Sequence, residues 1–480
     1  MTGRAQGWGR DHPTPRALVL AGVLLGALLA SCSKDDPRLR PKGDLVGPRR
    51  QVVLVTIDTL RTDHLGSYGY ARDTSPFIDR LAREGVQLMR AYAPVPTTVP
   101  SHMSMLTGLP PHVHGASRNQ YPITRESVPS LPDFLRARGY DTAAFLSVGF
   151  LDPRGKGLPG FAHVECPPVG VVWRASETFT RAATWVRAHA DDAFFLWIHS
   201  YDAHAPYAPP PPFDTLFWPE APEPYAPPRT GVVGDGPPTA RQAAFVNAMY
   251  DGEIRATDEA LEEFFAAVSS ALPAPPLVIV TGDHGELLDE HAHDMGIVYS
   301  HGRYPYNQAL SVPFIVHWPG TLAPARALTP VEITGIAPTV VALLFGEEVS
   351  AGEFPTMAPS FADVLRGGAE RDGAPLFAFS PKVTKRSKFV PGREFRLHES
   401  WSVLRWPWHL IHNPGRGSSL YDVEKDPLEL RDLAGEQPER VRALEAEVVR
   451  HFTEIPRARE ADGPVDEKLM EQLRSLGYVD

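Results

Sequence analysis

Gln51-Val52-Val53-Leu54-Val55-Thr56-Ile57-Asp58 is the stretch on which the fold turns. Residues 52–57 read as a strand of nearly unbroken apolar character, the pattern of a strand buried on both faces of a parallel sheet. Working outward, apolar runs at 143–148, 194–199, 277–281 and 313–317 read as further strands. Helical spacing at 74–84, 100–106, 131–138 and 245–268 places helices among them. This alternation predicts an α/β domain with a mainly parallel central sheet. From about residue 374 the strands shorten, and the chain closes on helical patterns at 438–452 and 465–476, which predicts a smaller α+β subdomain.

Composition bounds the partners. A chain of 480 residues with 43% hydrophobic and 22% charged side chains can bury a large core, which excludes disorder and a polytopic membrane protein. The formal charge of −11 excludes nucleic acid as the expected partner, because phosphate binding needs a concentrated basic surface. Two cysteines exclude a disulfide scaffold and a thiolate-rich metal site. The 50 prolines are in excess, and 12 of them fall within 206–238, a segment that can hold no long regular element.

The N-terminus reads as an address. Arg4, Arg10 and Arg16 precede an apolar or small run from Ala17 to Ala30, shorter than the roughly 20 residues of a membrane span. Leu29-Ala30-Ser31-Cys32 resembles a bacterial lipobox, in which cleavage leaves Cys32 as the lipid-bearing first residue. That reading makes 1–32 a lipoprotein-type signal, 33–48 a polar linker, 49–373 the catalytic domain and 374–480 the C-terminal subdomain. It places the protein in the bacterial cell envelope, lipid-anchored on the periplasmic or other extracytoplasmic face. A plain signal peptide is the alternative. Cys166 is then the remaining thiol, and nothing beside it in sequence suggests activation.

Chemistry concentrates at strand ends. Asp58 follows the strand 52–57, and Asp283-His284 follow the strand 277–281. Ligands of an open parallel sheet gather beyond the carboxyl ends of its strands, so two carboxylates and an imidazole can converge there. Such a set needs a cation, and its oxygen-rich character suits one divalent ion such as Mn²⁺, Mg²⁺, Ca²⁺ or Zn²⁺. Between them, Thr98 reads as the N-cap of a helix that contains Pro100. A hydroxyl at a helix N-terminus shares its place with any bound tetrahedral anion, and a neighbouring metal lowers its pKa.

Several stretches together resemble the sulfatase family of the alkaline phosphatase superfamily: Val53-Leu54-Val55-Thr56-Ile57-Asp58-Thr59-Leu60-Arg61, the Thr98-Val99-Pro100-Ser101 run ending in Leu106-Thr107-Gly108, and Thr281-Gly282-Asp283-His284-Gly285-Glu286. His204-Ala205-Pro206-Tyr207, Tyr250-Asp251-Gly252-Glu253-Ile254, Ser300-His301-Gly302 and Leu420-Tyr421-Asp422-Val423-Glu424-Lys425-Asp426-Pro427 extend the likeness from residue 51 to the C-terminus. The resemblance implies an alkaline-phosphatase-like three-layer α/β/α domain. It also implies a divalent ion held by Asp58, Asp283, His284 and Thr98, and hydrolysis of a small anionic ester. His204 and His301 are then the candidates for binding ester oxygens or protonating the leaving group. His102 orients the nucleophile or packs beneath it.

The chain also departs from the family pattern. The position usually held by a cysteine or serine converted to formylglycine is Thr98, the arginine four residues on is His102, and the second aspartate of the strand-end pair is Thr59. The stretch that usually supplies a lysine and a histidine corresponds to Leu146-Ser147-Val148-Gly149-Phe150-Leu151 and supplies neither. Threonine cannot become formylglycine, so the expected chemistry is in-line displacement at sulfur or phosphorus by Thr98, leaning toward phosphorus. An envelope phosphotransferase or phosphodiesterase with a phosphothreonine intermediate, and a noncatalytic relative that keeps the metal, are the competing readings.

Overall fold

The computed structural model describes residues 42–44, 50–125, 128–168, 170–227, 236–293, 295–370, 373–381, 383–386, 394–397 and 399–458, with positions 467, 470 and 473. The signal, Cys32, nearly all of the linker and most of the helix expected at 465–476 lie outside the described residues.

In chain order the main domain contains β1 (Gln51–Ile57), α1 (Pro76–Glu84), β2 (Val86–Tyr92), α2 (Thr98–Thr107), β3 (Asp141–Leu146), β4 (His163–Glu165), α3 (Ala175–Ala188) and β5 (Phe194–Ser200). It continues with α4 (Ala240–Ser269), β6 (Leu277–Gly282), β7 (Ser311–His317), β8 (Ala325–Ala327), β9 (Val331–Glu332) and α5 (Ile336–Phe345). Nine strands form one sheet in the order β4-β3-β5-β1-β6-β7-β2-β8, with β9 beside β2. The β4, β3, β5, β1 and β6 pairings are parallel, and β7 is antiparallel to both β6 and β2.

Every residue of β1 is buried, as its unbroken apolar run requires. Alternate side chains leave opposite faces of the strand. Val52 and Leu54 pack in one core with Val99, Met103 and Leu106 of α2 and Ile336 and Val340 of α5. Val53, Val55 and Ile57 pack in the other with Phe77 and Ile78 of α1, Phe179 of α3 and Leu261 of α4. The domain is therefore the expected α/β/α sandwich with β1 at its centre.

Some elements have no counterpart in the sequence reading. Strand β2 is masked by Gln87 and Arg90, which break its apolar run. Gln87 is nevertheless buried, because its amide donates to the Ser67 carbonyl at 3.1 Å. Helix α4 starts earlier than its periodicity suggests, since Thr239 and Gln242 close a reciprocal capping box. Its buried acids act as struts. Asp258 accepts from the Phe77 and Ile78 amides at 2.9 and 2.8 Å and so anchors the start of α1. Asp251 gathers His64, Tyr70 and Arg72, and Glu253 pairs with Arg174 while accepting from the Ala208 amide. The stretch 250–254 is thus scaffold.

Beyond the sandwich, β10 (Leu376–Ser380), β11 (Val383–Arg386), β12 (Glu394–Leu397), β13 (Ser400–Arg405), β14 (Trp408–Asn413) and β15 (Gly417–Asp422) precede α6 (Pro438–Glu454). An antiparallel sheet, β10-β13-β14-β15, carries α6 on one side. Its core, with Phe379, Val403, Leu410, Leu444, Val448 and Phe452, also takes in Val95, three residues before Thr98. The small sheet therefore buttresses the segment that leads into α2.

Candidate active site

Strand register assembles the site. Ile57 pairs with Ser200 of β5 on one side and Gly282 of β6 on the other, so Asp58 and Asp283 emerge side by side at the carboxyl edge of the sheet. Helix α2 begins over that same edge. Its N-cap is Thr97 and Thr98 is already helical, which corrects the expectation that Thr98 caps the helix. No side chain of the cap residue itself takes an amide of the first turn. Asn119 reaches in from another loop instead, and its Oδ1 accepts from the Val99 amide at 2.9 Å. Gly285 lets the His284 loop close, because a Cβ there would sit 1.9 Å from the Gln308 carbonyl oxygen.

Asp58, Asp283, His284 and Thr98 are all 0% exposed. One ligand atom from each of the two aspartates and His284 lies within 4.8 Å of the others. His284 Nδ1–H donates to the Gly285 carbonyl at 2.9 Å, which leaves Nε2 facing the carboxylates; burial lowers this imidazole, but the Asp283 and Asp58 charges raise it overall. That Nε2 lies 3.3 Å from the Thr98 hydroxyl, 3.4 Å from Asp283 Oδ2 and 3.7 Å from Asp58 Oδ1. Asp283 Oδ1 accepts from the Thr59 and His284 amides at 3.2 and 2.9 Å. Thr59 offers its amide by adopting φ 56°, a strained setting for a β-branched residue, while its hydroxyl donates to the Ala203 carbonyl. Among the described residues, Asp283 Oδ2 and both Asp58 oxygens have no hydrogen-bond partner. Burial pushes both carboxyls above the usual carboxylate range, and the charge of Asp58 pushes Asp283 further. Buried acceptors of like charge beside an imidazole lone pair are the donor set of a divalent cation, so the residues present fit one.

Further histidines surround this cluster. His204 donates from Nδ1 to the Ala205 carbonyl at 2.6 Å, stacks on Tyr201 and meets His301 with ring centroids 4.9 Å apart. His301 also lies over His284 at 4.5 Å. Burial holds His204 down to about 3 and His301 well below the ordinary imidazole range, so both are neutral in the free protein. His102 lies beneath Thr98. Its Nδ1 donates to the Thr98 carbonyl at 2.8 Å, and its Nε2 is 2.9 Å from the Thr56 hydroxyl. His301 Nδ1 is 3.2 Å from Glu286 Oε1, and the Tyr207 hydroxyl approaches Glu286 Oε2 at 3.4 Å.

Burial raises the Glu286 carboxyl from an ordinary 4.5 to about 8. The folded, metal-free protein therefore holds a proton that the unfolded chain releases, and its stability falls as pH rises through that window. Urea midpoints measured under chelation at pH 5 and pH 8 should show this drop, and Glu286→Gln should shrink it. An unchanged drop in the variant would assign the pH dependence elsewhere.

Other polar and aromatic residues near these motifs resolve into packing. Arg61 forks onto Asp63 at 2.9 and 2.7 Å, as a local ion pair. His114 bonds Ser104 and the Ala116 amide, and His112 packs against Phe379, His451 and Phe452. His291 stacks on Tyr306 and His293 is exposed, whereas His301 touches the cluster. The aromatics of the proline-rich segment turn to scaffold: Phe213 lies under Arg255, Phe217 under Arg72, and Trp218 against Phe245 and Arg241.

Three residues at the site have no place in the sequence reading. Asn119 turns a buried Nδ2 without partner toward no described acceptor, next to the α2 amide it caps. Buried Lys156 donates to the Asn119 carbonyl at 2.6 Å, its amine lowered by burial to about 8. His199, read only as the last residue of a strand, lies 3.4 Å from Asp58 Oδ2. A polar residue ending an apolar strand was the available signal for His199. For Asn119 and Lys156 there was none.

Comparison with known proteins agrees with this geometry. The sulfatase family model matches residues 50–347. An N-acetylgalactosamine-6-O-sulfatase of Bacteroides thetaiotaomicron is 21% identical over 87% of this chain and 95% of its own length. The multifunctional alkaline phosphatase superfamily protein PehA of Trinickia caryophylli is 23% identical over 81% of this chain and 92% of its own. Among solved structures, the phosphonate monoester hydrolase of Agrobacterium radiobacter superposes with a TM-score of 0.66 at 20% identity, covering 85% of this chain and 96% of that one. With the matched region taking in β1, α2, β6 and every residue of the carboxylate–imidazole cluster, the chain belongs to the sulfatase family.

Proposed function

We propose that the protein hydrolyses a small anionic ester, with phosphorus esters favoured over sulfate esters, and that Thr98 is its nucleophile. The observation that carries this reading is the Thr98 hydroxyl at the start of α2, 3.3 Å from His284 Nε2 and inside a cluster of carboxylate oxygens without partners. Asp58, Asp283 and His284 would hold the divalent cation. When bound, such a cation polarises an ester oxygen and lowers the pKa of a neighbouring hydroxyl.

The chain's own residues account for the remaining steps. Thr98 Oγ gives its proton to solvent water and forms a bond to the central atom of the ester as the bond to the leaving oxygen breaks. The N-terminal end of α2, whose dipole favours negative charge, and the Asn119 Nδ2 amide would face the developing charge on the nonbridging oxygens. An anionic ester beside His204 and His301 offsets the burial that keeps them neutral, so an imidazolium can form and protonate the leaving oxygen. Water then cleaves the threonine ester. A formylglycine hydrate expels sulfate by using its second hydroxyl, which threonine lacks. Stable sulfated threonine would stall here, and this supports phosphorus as the reacting atom.

Turnover of 4-nitrophenyl sulfate, phosphate, phosphodiester and phosphonate with added Mn²⁺ tests the reading. A phosphorus ester should be the fastest substrate, and acid quenching should trap a phosphoryl group on Thr98 detectable by mass spectrometry. His204→Ala should slow alkyl esters by about 10²-fold or more and 4-nitrophenyl esters far less, because nitrophenolate needs no protonation. Fastest turnover of the sulfate ester with an unmodified Thr98 would sink the proposal.

A further inference from the structure

His199, next to last in β5, is an imidazole that is 0% exposed and, among the described residues, has no hydrogen-bond partner on either ring nitrogen. Buried polar groups are normally paired, so this one calls for an explanation. The pleat says where the ring points. Thr56 and His199 are register partners, and Asp58 lies two residues beyond Thr56, hence on the same face of the sheet. His199 Nε2 thereby comes within 3.4 Å of Asp58 Oδ2, while Asp58 Oδ1 lies 3.7 Å from His284 Nε2. Asp58 turns one oxygen toward the cation cluster and the other toward His199.

The two carboxylates of the cluster are secured differently. Asp283 is held by two backbone amides. Asp58 receives none, and the other imidazole beneath the site is already committed. Trp197 Nε1–H, which can only donate, donates to the Thr56 hydroxyl, and this directs the hydroxyl proton to His102 Nε2. The proton of His102 is therefore on Nδ1, where it serves the Thr98 carbonyl. Of the two imidazoles beneath the site, His102 and His199, it is His199 that stands next to Asp58 Oδ2.

We infer that His199 is a positioning residue of the cation site: its Nε2, 3.4 Å from Asp58 Oδ2, is placed to turn onto that oxygen as a donor when the cation is bound and so to present Oδ1 to it. Carboxylates that ligate metals are commonly oriented by such an outer donor, and its loss typically weakens binding 10- to 100-fold. The inference rests on the reading of Asp58 as a ligand.

Calorimetric titration of Mn²⁺ into metal-free full-length protein tests it, with the fold of each variant checked by circular dichroism. His199→Phe fills the space without a donor and should weaken Mn²⁺ binding by about 10- to 100-fold. His199→Gln places an amide donor near the position of Nε2 and should restore affinity to within about threefold of wild type. Wild-type affinity in the phenylalanine variant, or equal weakening in both variants, overturns the inference. Asp58→Ala separates the two levels: if it too binds Mn²⁺ as wild type does, the ligand reading itself fails. ¹⁵N-histidine spectra of the Mg²⁺-loaded wild type give a reading without substitution, in which an Nε2–H tautomer of His199 supports the inference and an Nδ1–H tautomer overturns it.

Discussion

Thr98→Ala lowers ester turnover by about 10⁴-fold or more, equivalent to ~5.5 kcal/mol of transition-state stabilisation, while the protein stays folded. The size follows from what is removed. Alanine is a good helix former, so the first turn of α2 keeps its backbone and Asn119 keeps its bond to the Val99 amide. The proposed cation ligands Asp58, Asp283 and His284 also remain in place, so Mn²⁺ affinity should fall much less than the rate. Only the attacking oxygen is lost. Thr98→Ser retains that oxygen with a freer side-chain rotamer and should keep a substantial fraction of the rate. Steady-state kinetics on the fastest ester of the panel, with calorimetric Mn²⁺ binding on the same samples, decides the matter. Undiminished hydrolysis in the alanine variant would remove Thr98 from the mechanism.

Asp58→Asn acts in opposite directions on activity and on metal-free stability. Asp58 and Asp283 are both 0% exposed, and burial raises both carboxyls. A raised carboxyl stabilises the fold below its unfolded value and loses that contribution as pH rises through its folded value. At neutral pH the metal-free wild type therefore carries two buried carboxyls that are costly to ionise, and a bound cation offsets that cost. Asparagine removes one of them with little change in shape, so the chelated variant should melt at a higher temperature than the chelated wild type. Adding Mn²⁺ should reverse the order. At about a thousandfold excess over Kd the wild type gains ~4 kcal/mol, whereas the variant gains little and its turnover is nearly abolished. Thermal melts of both proteins in EDTA and in Mn²⁺ check all four combinations. A chelated variant less stable than chelated wild type would mean that Asp58 is held by partners other than the proposed cation.

The sequence made the sheet and the cation cluster legible for the same local reason. A doubly buried strand cannot carry a charged residue, so Asp58 and Asp283 announce themselves by standing where the apolar runs at 51–57 and 277–282 stop. The proline-rich segment was legible as irregular, but its aromatics were not placed, because whether Trp218 meets a substrate or Phe245 depends on how that segment lies along α4. Strand β2 was illegible because Gln87 finds its partner twenty positions away in a loop.

Residue types and their positions relative to strand ends determined the α/β architecture, the donor set Asp58, Asp283 and His284, and the hydroxyl at Thr98. Only the tertiary structure decided which histidines belong to them. His204 and His301 touch the cluster, His102 lies beneath it tied to Thr98 and Thr56, and His199 stands behind Asp58. The physical reason is that strand ends are written in local hydrophobic pattern, whereas the partner of a buried polar group is set by the register between β1 and β5 and by the placement of α2 over that edge.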